Sequence, residues 1–241
     1  MKKLSNLFLI NLSIICSITG FSLIGTKGLG KTFVNGSNLE PFPPAIITTA
    51  VEKFVNNNSV VNFFVTLNYK SKILKAYFQE MKPKFKLTFI DEPKPLGTAG
   101  GLSLLEKKLN KPFIVTNCDT IIDVNFDDLM NFHTTNGNDI TLVASFKEHI
   151  IPYGTCKLTK KGYLQKIIEK PKFDFFVNVG LYVLNPNLIK LIPKNKIHDM
   201  TDLIQLVKRK KKQIGVYPID DESWIDVGQW SEYHKAVDRL I

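Results

Sequence analysis

The chain has 241 residues, a length that suits one α/β domain or at most two small ones. Its hydrophobic fraction of 44% is enough for a full core, which excludes a chain too polar to fold. The three cysteines, Cys16, Cys118 and Cys156, show neither a disulfide nor a metal-site spacing and fit a reducing compartment. We therefore expect a cytoplasmic protein.

The net charge of +10 predicts an anionic partner, and nucleotides and sugar phosphates are candidates as well as nucleic acid. The densest basic run, residues 208–212, lies at the end of a predicted helix, where cations interact favourably with the helix dipole. No aromatic strip for base stacking accompanies this run. Nucleic acid is therefore not the expected partner.

The N-terminal stretch from residue 4 to residue 26 contains no charged side chain and resembles a signal peptide or membrane anchor. Asparagines, serines and threonines dilute it, and no clear cleavage site follows, so a membrane role is disfavoured. We predict a leader or extension of uncertain role over residues 1–19. The first buried strand is expected near residues 20–24, and one domain over residues 20–241.

Residues 25–32, G-T-K-G-L-G-K-T, satisfy the pattern of a P-loop, with Lys31 on phosphates and Thr32 on magnesium. A P-loop normally continues into a long helix. Residues 33–44 instead contain an Asn-Gly pair and three prolines, which are typical of turns. The segment predicts a triphosphate site built from backbone N–H groups around glycine, and a P-loop NTPase remains one interpretation.

Apolar runs and amphipathic segments alternate from residue 45 onward, which predicts a Rossmann-like α/β layered sheet, mostly parallel, with helices on both faces. After residue 139 hairpin signals replace this alternation and indicate a small antiparallel subregion. The predicted strands are residues 60–67, 85–90, 113–116, 139–146, 155–158, 164–168, 181–184 and 214–218; the predicted helices are residues 45–55, 68–81, 102–109, 126–132, 187–192 and one that starts near residue 200.

The segment D-E-P-K-P-L-G-T-A-G-G-L-S-L-L, residues 91–105, follows a predicted strand and leads into a predicted helix. Pro95 stiffens the turn, while Gly97 and its neighbouring glycines let the backbone approach a ligand closely. Free N–H groups at the start of the helix predicted from residue 102 are expected to face an anion. The segment predicts a site for a phosphate or a nucleobase, although an ordinary strand-to-helix connection has the same glycine content.

Several polar residues stand at positions with two interpretations. Asp119 leaves the strand 113–116 and is well placed to hold Mg²⁺, but a turn or cap aspartate is commoner at such a position. Asp226 reads on position alone as a helix N-cap. Glu169 and Lys170 read on spacing alone as a surface salt bridge.

Five separate motifs then occur in order: P-L-G-T-A-G-G, N-C-D, E-K-P, N-V-G-L-Y-V-L and W-I-D-V-G. Together they resemble the sugar-1-phosphate nucleotidyltransferases, especially the guanylyltransferase-like type often joined to CBS modules. The resemblance covers residues 46–241. It implies the nucleotide-diphospho-sugar transferase fold, with Mg²⁺ as cofactor. It also implies that an NTP, most plausibly GTP, reacts with a sugar 1-phosphate to give an NDP-sugar and pyrophosphate.

The resemblance assigns roles to residues of this chain. Asp119 and Asp226 correspond to the metal ligands and, with Lys31, to the catalytic set. The nucleotide-binding positions are Gly28, Leu29, Gly30, Lys31, Pro95, Gly97, Thr98 and Asp119. The sugar-phosphate positions are Tyr153, Gly154, Glu169, Lys170, Asn178 and Gly180.

Residues 28–33 depart from the family's signature loop G-G-x-G-T-R-L, because Lys31-Thr32-Phe33 stands where T-R-L is expected. The signature arginine is absent, and no Pro-Lys-Pro lysine follows it. A catalytically impaired sugar-nucleotide-binding protein is therefore the alternative to an active transferase. The resemblance leaves open whether the chain forms a homo-oligomer.

Overall fold

The computed structural model describes residues 8–12, 60–68, 71–82, 86–117 and 120–226. The strands are β1 Phe8–Leu12, β2 Val60–Leu67, β3 Lys86–Asp91, β4 Phe113–Thr116, β5 Thr120–Ile122, β6 Ile140–Ile150, β7 Thr155–Leu158, β8 Leu164–Ile168, β9 Lys172–Leu184, β10 Ile214–Ile219 and β11 Trp224–Asp226. The α-helices are α1 Ser71–Met81, α2 Gly97–Gly100, α3 Phe126–Thr135 and α4 Met200–Arg209. Short 3-10 segments cover Gly101–Leu105, Pro186–Leu191 and Asp221–Ser223.

Within these residues the main sheet has seven strands in the order β10-β6-β9-β4-β1-β2-β3. β10 and β6 are parallel, and β4, β1, β2 and β3 are parallel to one another. β9 lies between these two groups and is antiparallel to both of its neighbours, β6 and β4. Every strand of this sheet except β9 therefore points in the same direction, as the prediction of a mostly parallel sheet requires.

Helices cover both faces of this sheet because the strands at its centre are apolar on both sides. Ile114 of β4 packs in a cluster with side chains of α1 and α3. Its neighbours Phe113 and Val115 pack in a second cluster with α4 and the segment that follows α2. Successive strand residues point to opposite faces, so the two clusters lie on opposite sides of the sheet. The predicted layered α/β fold is confirmed.

β1 differs from the prediction. Its five residues fall within residues 1–19, which the sequence set apart as a leader or extension, yet they pair with both β2 and β4 in the sheet. The strand expected near residues 20–24, the helix expected over residues 45–55 and the domain boundary at residue 20 lie outside the described residues. The extent of the domain at its N-terminus remains a prediction.

Two small antiparallel pairs accompany the main sheet. β7 and β8 form a hairpin that pairs with no other described strand. Most of its side chains are exposed. β5 and β11 form the second pair, which the sequence did not predict because each strand has only three residues. The predicted antiparallel subregion is thus the β7–β8 hairpin together with the outer halves of β6 and β9.

Candidate nucleotide and sugar-phosphate site

The carboxyl ends of the parallel strands identify the edge of the sheet where a ligand would bind. β3 and β4 end there at Asp91 and Thr116. β6 continues beyond this edge to Ile150, and β9 returns from it, starting at Lys172. The segments that follow β3 and β4 and the residues between β6 and β9 therefore lie at one side of the molecule.

The segment after β3 contains the P-L-G-T-A-G-G motif, residues 95–101, which we call the glycine-rich loop. Thr98 donates its backbone N–H to Oδ1 of Asp199 at 2.9 Å, and its hydroxyl lies 3.3 Å from the same oxygen. The Thr98 hydroxyl oxygen in turn accepts a hydrogen bond from the N–H of Met200 at 2.7 Å. The Asp199 carboxylate thus caps α2 and the Thr98 hydroxyl caps α4, although the two residues lie 101 positions apart in the chain.

The backbone of the glycine-rich loop is bound to the same distant segment. Ala99 and Gly100 both donate their N–H groups to the carbonyl of His198, each at 2.9 Å. The N–H of His198 donates to the carbonyl of Leu96 at 2.8 Å. The helical turn thus begins before residue 102, and the N–H groups of Thr98, Ala99 and Gly100 in it are not free. They already have acceptors, and the anion that Thr98 faces is Asp199 of the chain itself.

The glycines of this loop stand where a side chain has no room. Gly97 has φ +79°, and a Cβ there would lie 2.6 Å from the carboxylate of Asp199. A Cβ on Gly100 would lie 3.0 Å from the carbonyl oxygen of Lys196. A Cβ on Gly101 would collide with the carboxylate of Glu92. These glycines therefore permit other segments of the same chain to pack closely against the loop.

Glu92 is a buried carboxyl at the base of the glycine-rich loop, with only 8% of its surface exposed. Burial raises its pKa above the ordinary value of 4.5, although hydrogen bonds from the Leu96 backbone and the Thr66 side chain lower it in part. The Leu96 N–H donates to Oε2 of Glu92 at 3.2 Å. No role was predicted for Glu92 from the sequence. A glutamate next to a proline-rich turn gives no indication that it is buried.

Asn117, which follows β4, meets β9 at Gly180. The Asn117 N–H donates to the Gly180 carbonyl at 3.0 Å. Gly180 has φ +80°, and a Cβ there would lie 2.7 Å from the side-chain nitrogen of Asn117. Asn178 donates to the hydroxyl of Tyr182 at 2.7 Å, and burial raises the pKa of that hydroxyl. Two of the predicted sugar-site residues, Asn178 and Gly180, thus lie beside the segment that leads to Asp119.

The other predicted sugar-site residues lie at the base of the β7–β8 hairpin, which we group with the outer halves of β6 and β9 as the arm, residues 146–176. Gly154 precedes β7 and Glu169 follows β8, and a Cβ on Gly154 would lie 2.9 Å from a carboxylate oxygen of Glu169. Tyr153 is 74% exposed. Lys170 is exposed and has φ +43°. Neither Glu169 nor Lys170 forms an ion pair with a described residue, so the surface salt-bridge interpretation is not supported.

Asp226 ends β11, and in the β5–β11 register it lies opposite Thr120. Trp224, two residues earlier on the same face of β11, carries the ammonium of Lys147 over its ring, 5.4 Å from the centroid. Lys147 also forms an ion pair with Asp221. Asp119 and the predicted triphosphate residues Gly28, Leu29, Gly30 and Lys31 lie outside the described residues.

Within the described part of the chain, no group of three or more His, Cys, Asp or Glu side chains is arranged to hold a metal ion. The described helices include none with the length and apolarity that a membrane span requires.

Comparisons with known proteins agree with these motifs. Residues 41–241, most of the chain, match the family described as Nucleotidyl transferase. The chain belongs to the nucleotidyl transferase family. The relatives with assigned activities are sugar-1-phosphate nucleotidyltransferases, so the resemblance drawn from the motifs is confirmed.

The relatives of this nucleotidyl transferase include mannose-1-phosphate guanyltransferase of Saccharomyces cerevisiae, which is 31% identical over 188 residues. That alignment covers 73% of this chain and 51% of the yeast protein. The corresponding protein of Yarrowia lipolytica is 33% identical over 186 residues, covering 72% of this chain and 50% of the relative. The chain thus spans about half the length of the curated relatives it matches.

Solved structures share the fold. HddC from Yersinia pseudotuberculosis complexed with GMP-PN has a TM-score of 0.68 and 20% sequence identity, and the alignment covers 98% of this chain and 100% of that one. HddC alone gives a TM-score of 0.65 at 20% identity, with 89% and 96% coverage. The predicted nucleotide-diphospho-sugar transferase fold is consistent with these neighbours.

Proposed function

We propose that this chain transfers a nucleotidyl group from an NTP, GTP by preference, to a sugar 1-phosphate, forming an NDP-sugar and releasing pyrophosphate. The guanine preference and mannose 1-phosphate as the first sugar substrate to test follow from the names of the yeast relatives and from the GMP-PN complex of HddC. Asn178, Gly180, Glu169 and Lys170 would bind the sugar phosphate, and the glycine-rich loop would bind the nucleoside.

The observation that supports this proposal most directly is the β5–β11 register, which sets Asp226 opposite Thr120. Directly opposed residues of an antiparallel pair have Cα atoms about 4.5–5.5 Å apart. The peptide bond between residues 119 and 120 keeps their Cα atoms about 3.8 Å apart. A residue bonded to Thr120 therefore has its Cα within about 9 Å of that of Asp226, which supports the proposal that Asp119 and Asp226 share one cation.

Carboxylate oxygens are the ligands that Mg²⁺ prefers, so the donor chemistry of Asp119 and Asp226 fits this ion. Bound Mg²⁺ would neutralise phosphate charge at the reacting phosphoryl group. Lys31 would supply a second positive charge beside the triphosphate. The ion remains part of the proposal, as do the roles of all these residues.

In the proposed reaction, an oxygen of the sugar 1-phosphate attacks the α-phosphorus of the NTP in line with the bond that breaks. A new P–O bond forms, and the bond from the α-phosphorus to the bridging oxygen breaks. Its electron pair leaves with pyrophosphate. The attacking phosphate is already ionised, so no general base is required, and catalysis depends on positioning and charge neutralisation.

The test is pyrophosphate release with each of several NTPs against an array of sugar 1-phosphates in the presence of MgCl₂. We expect turnover with GTP and mannose 1-phosphate and its loss on chelation with EDTA, restored by added Mg²⁺. NTP and sugar phosphate binding without turnover would instead identify an impaired sugar-nucleotide-binding protein. NTP hydrolysis that needs no sugar phosphate would contradict both and favour a P-loop NTPase.

The carboxylate at residue 226 is tested by Asp226→Asn. We expect kcat to fall roughly 100-fold or more, the scale of loss when one preorganised charge-stabilising group is removed. Asp123→Asn is the matched control, because Asp123 is an exposed carboxylate that directly follows β5. Equal rates for the two variants would contradict the role given to Asp226.

A further inference from the structure

The glycine-rich loop and the start of α4 form one hydrogen-bonded unit, although they are separated by about a hundred residues. Asp199 is the N-cap of α4 and forms a capping box with Asp202. The same Asp199 carboxylate accepts a hydrogen bond from the N–H of Thr98, and the Thr98 hydroxyl oxygen accepts one from the N–H of Met200. One carboxylate thus stabilises the N-termini of two helical segments that meet end to end.

This arrangement determines what the loop can offer a ligand. The N–H groups of Thr98, Ala99 and Gly100 have acceptors in Asp199 and His198. The negative charge of Asp199 also opposes a second anion at this point. The loop is therefore unsuited to the charged phosphates and suited to an uncharged part of the nucleotide, the base or the ribose.

The geometry of the loop also depends on the distant segment. Gly97 adopts a left-handed conformation that places it against Asp199 and His198, with no space for a Cβ. Loss of the Asp199 carboxylate would leave the Thr98 N–H next to Gly97 without its acceptor. The shape of the loop would then relax at the residues nearest the nucleoside.

We infer that Asp199 is a positioning residue for nucleotide binding, which acts through Thr98 to fix the glycine-rich loop in the shape that receives the nucleoside. This inference rests on the proposed function. Asp199 contacts no substrate in this scheme. Its substitution should weaken nucleotide binding while leaving the chemical step and the sugar-phosphate site largely intact.

Asp199→Ala is compared with Asp202→Ala, the matched control. Asp202 accepts the N–H of Asp199 at 3.1 Å, so both substitutions weaken the start of α4. Of the two carboxylates, it is Asp199 that accepts the N–H of Thr98 in the glycine-rich loop. We expect Asp199→Ala to raise the KM for the NTP by about ten-fold or more, the factor for one lost hydrogen bond to a charged group. In the same variant, the KM for the sugar 1-phosphate and kcat should each change less than about three-fold. In Asp202→Ala, all three parameters, including the KM for the NTP, should change less than about three-fold.

Asp199→Asn serves as the conservative variant, because its amide oxygen can still accept the Thr98 N–H. We expect it to recover most of the NTP affinity lost in Asp199→Ala. Hydrogen–deuterium exchange of the free protein gives a readout that needs no activity: a peptide covering residues 96–101 should exchange faster in Asp199→Ala than in the wild type or Asp202→Ala.

The two proposals fail in different ways. An absence of pyrophosphate release in the wild-type chain, with every NTP and sugar 1-phosphate tested, would overturn the proposed function and with it the role of Asp199 in nucleotide binding. An active wild type whose KM for the NTP is the same in Asp199→Ala would overturn the positioning role alone. Equal effects of Asp199→Ala and Asp202→Ala would reduce Asp199 to a helix cap.

Discussion

Two positions of this protein with similar backbone conformation require glycine for different physical reasons. Gly97 and Gly137 both have positive φ, +79° and +62°. A Cβ on Gly97 would meet the carboxylate of Asp199, whereas a Cβ on Gly137 would have nothing within 4 Å. Position 137 thus requires glycine only because of its backbone conformation. Position 97 requires it both for its backbone conformation and because a side chain has no space there.

Substitution of these two glycines by alanine separates the two effects. Gly137→Ala should lower the free energy of unfolding by about 1–2 kcal/mol, the strain of a left-handed alanine. Gly97→Ala should lose about 3 kcal/mol or more, because it adds displacement of a hydrogen-bonded carboxylate to the same strain. Urea unfolding monitored by circular dichroism measures both. Equal losses would show that Asp199 moves away from residue 97 without consequence.

At this scale the sequence predicted the residue types of the site but not their partners. Glycines at 97, 100 and 101 were expected to admit a ligand, yet the atoms that they admit belong to Glu92 and residues 196–199. Partners a hundred residues apart leave no periodic signal in the sequence. The buried position of Glu92 was missed for a different reason, because a charged residue in a turn is normally exposed.

Among the elements, α3 is attached to the sheet by a buried polar network centred on His133. Nδ1 of His133 lies 2.9 Å from the hydroxyl of Thr141, which also accepts from Asn138 at 3.0 Å. Nε2 of His133 lies 3.4 Å from the side-chain oxygen of Asn185. These bonds are all formed when the imidazole of His133 is neutral: the Thr141 hydroxyl then donates to Nδ1, and the Nε2–H donates to the side-chain oxygen of Asn185.

His133 should therefore make stability depend on pH. Burial lowers its pKa below the ordinary value of 6.5. As pH falls, this histidine is protonated in the unfolded chain before it is protonated in the folded protein. The contribution of the buried neutral imidazole to the free energy of unfolding is therefore complete above about pH 6.5, and it is lost as pH falls through the lower pKa of the folded state. His133→Gln should lack this component of the pH dependence. Urea unfolding from pH 7.5 to pH 5 of both proteins tests it, and parallel curves would contradict the buried neutral imidazole.

Elements with strong local signals were predicted well. The bounds of β2, β4, β7 and β8 agree with the prediction, since each is an apolar or alternating run between turn signals. The predicted helix over residues 102–109 is a 3-10 segment after the single turn of α2, because three glycines weaken helix formation there. β9 has thirteen residues rather than the four predicted, because its outer half pairs with β6 beyond the core.

On the scale of the whole molecule, the arm stands apart from the two core clusters. Its outer strands carry exposed aromatic side chains on both faces, Phe175 on one face and the directly paired Phe146 and Phe176 on the other. The rings of Phe146 and Phe176 pack edge to face with centroids 5.7 Å apart. The β7–β8 hairpin has no strand partner in the main sheet. The core should therefore fold without the hairpin, while the proposed sugar site should not survive its removal.

Replacing residues 151–171 by the dipeptide Asn-Gly tests this division. Ile150 and Lys172 are directly paired, so a two-residue turn can join them. We expect the free energy of unfolding to change by no more than about 2 kcal/mol, which is what shortening the connection about ten-fold in length would give on its own. NTP binding by titration should persist, and sugar-1-phosphate-dependent pyrophosphate release should be lost. Loss of NTP binding as well would mean that the hairpin also supports the nucleotide half of the site.

β9 carries an irregularity with a consequence for how this protein tolerates change in length. Between the pairs Leu142↔Tyr182 and Ala144↔Asn178, β6 advances by two residues and β9 by four, so β9 contains two additional residues around Gly180. An even excess keeps the inward and outward alternation of the strand in phase. Deleting one of them would leave an odd excess, which inverts the outer side chains of β9 unless a bulge absorbs it. Deleting both would match the two residues of β6, so that the ladder becomes continuous and the outer pairs keep their register and faces.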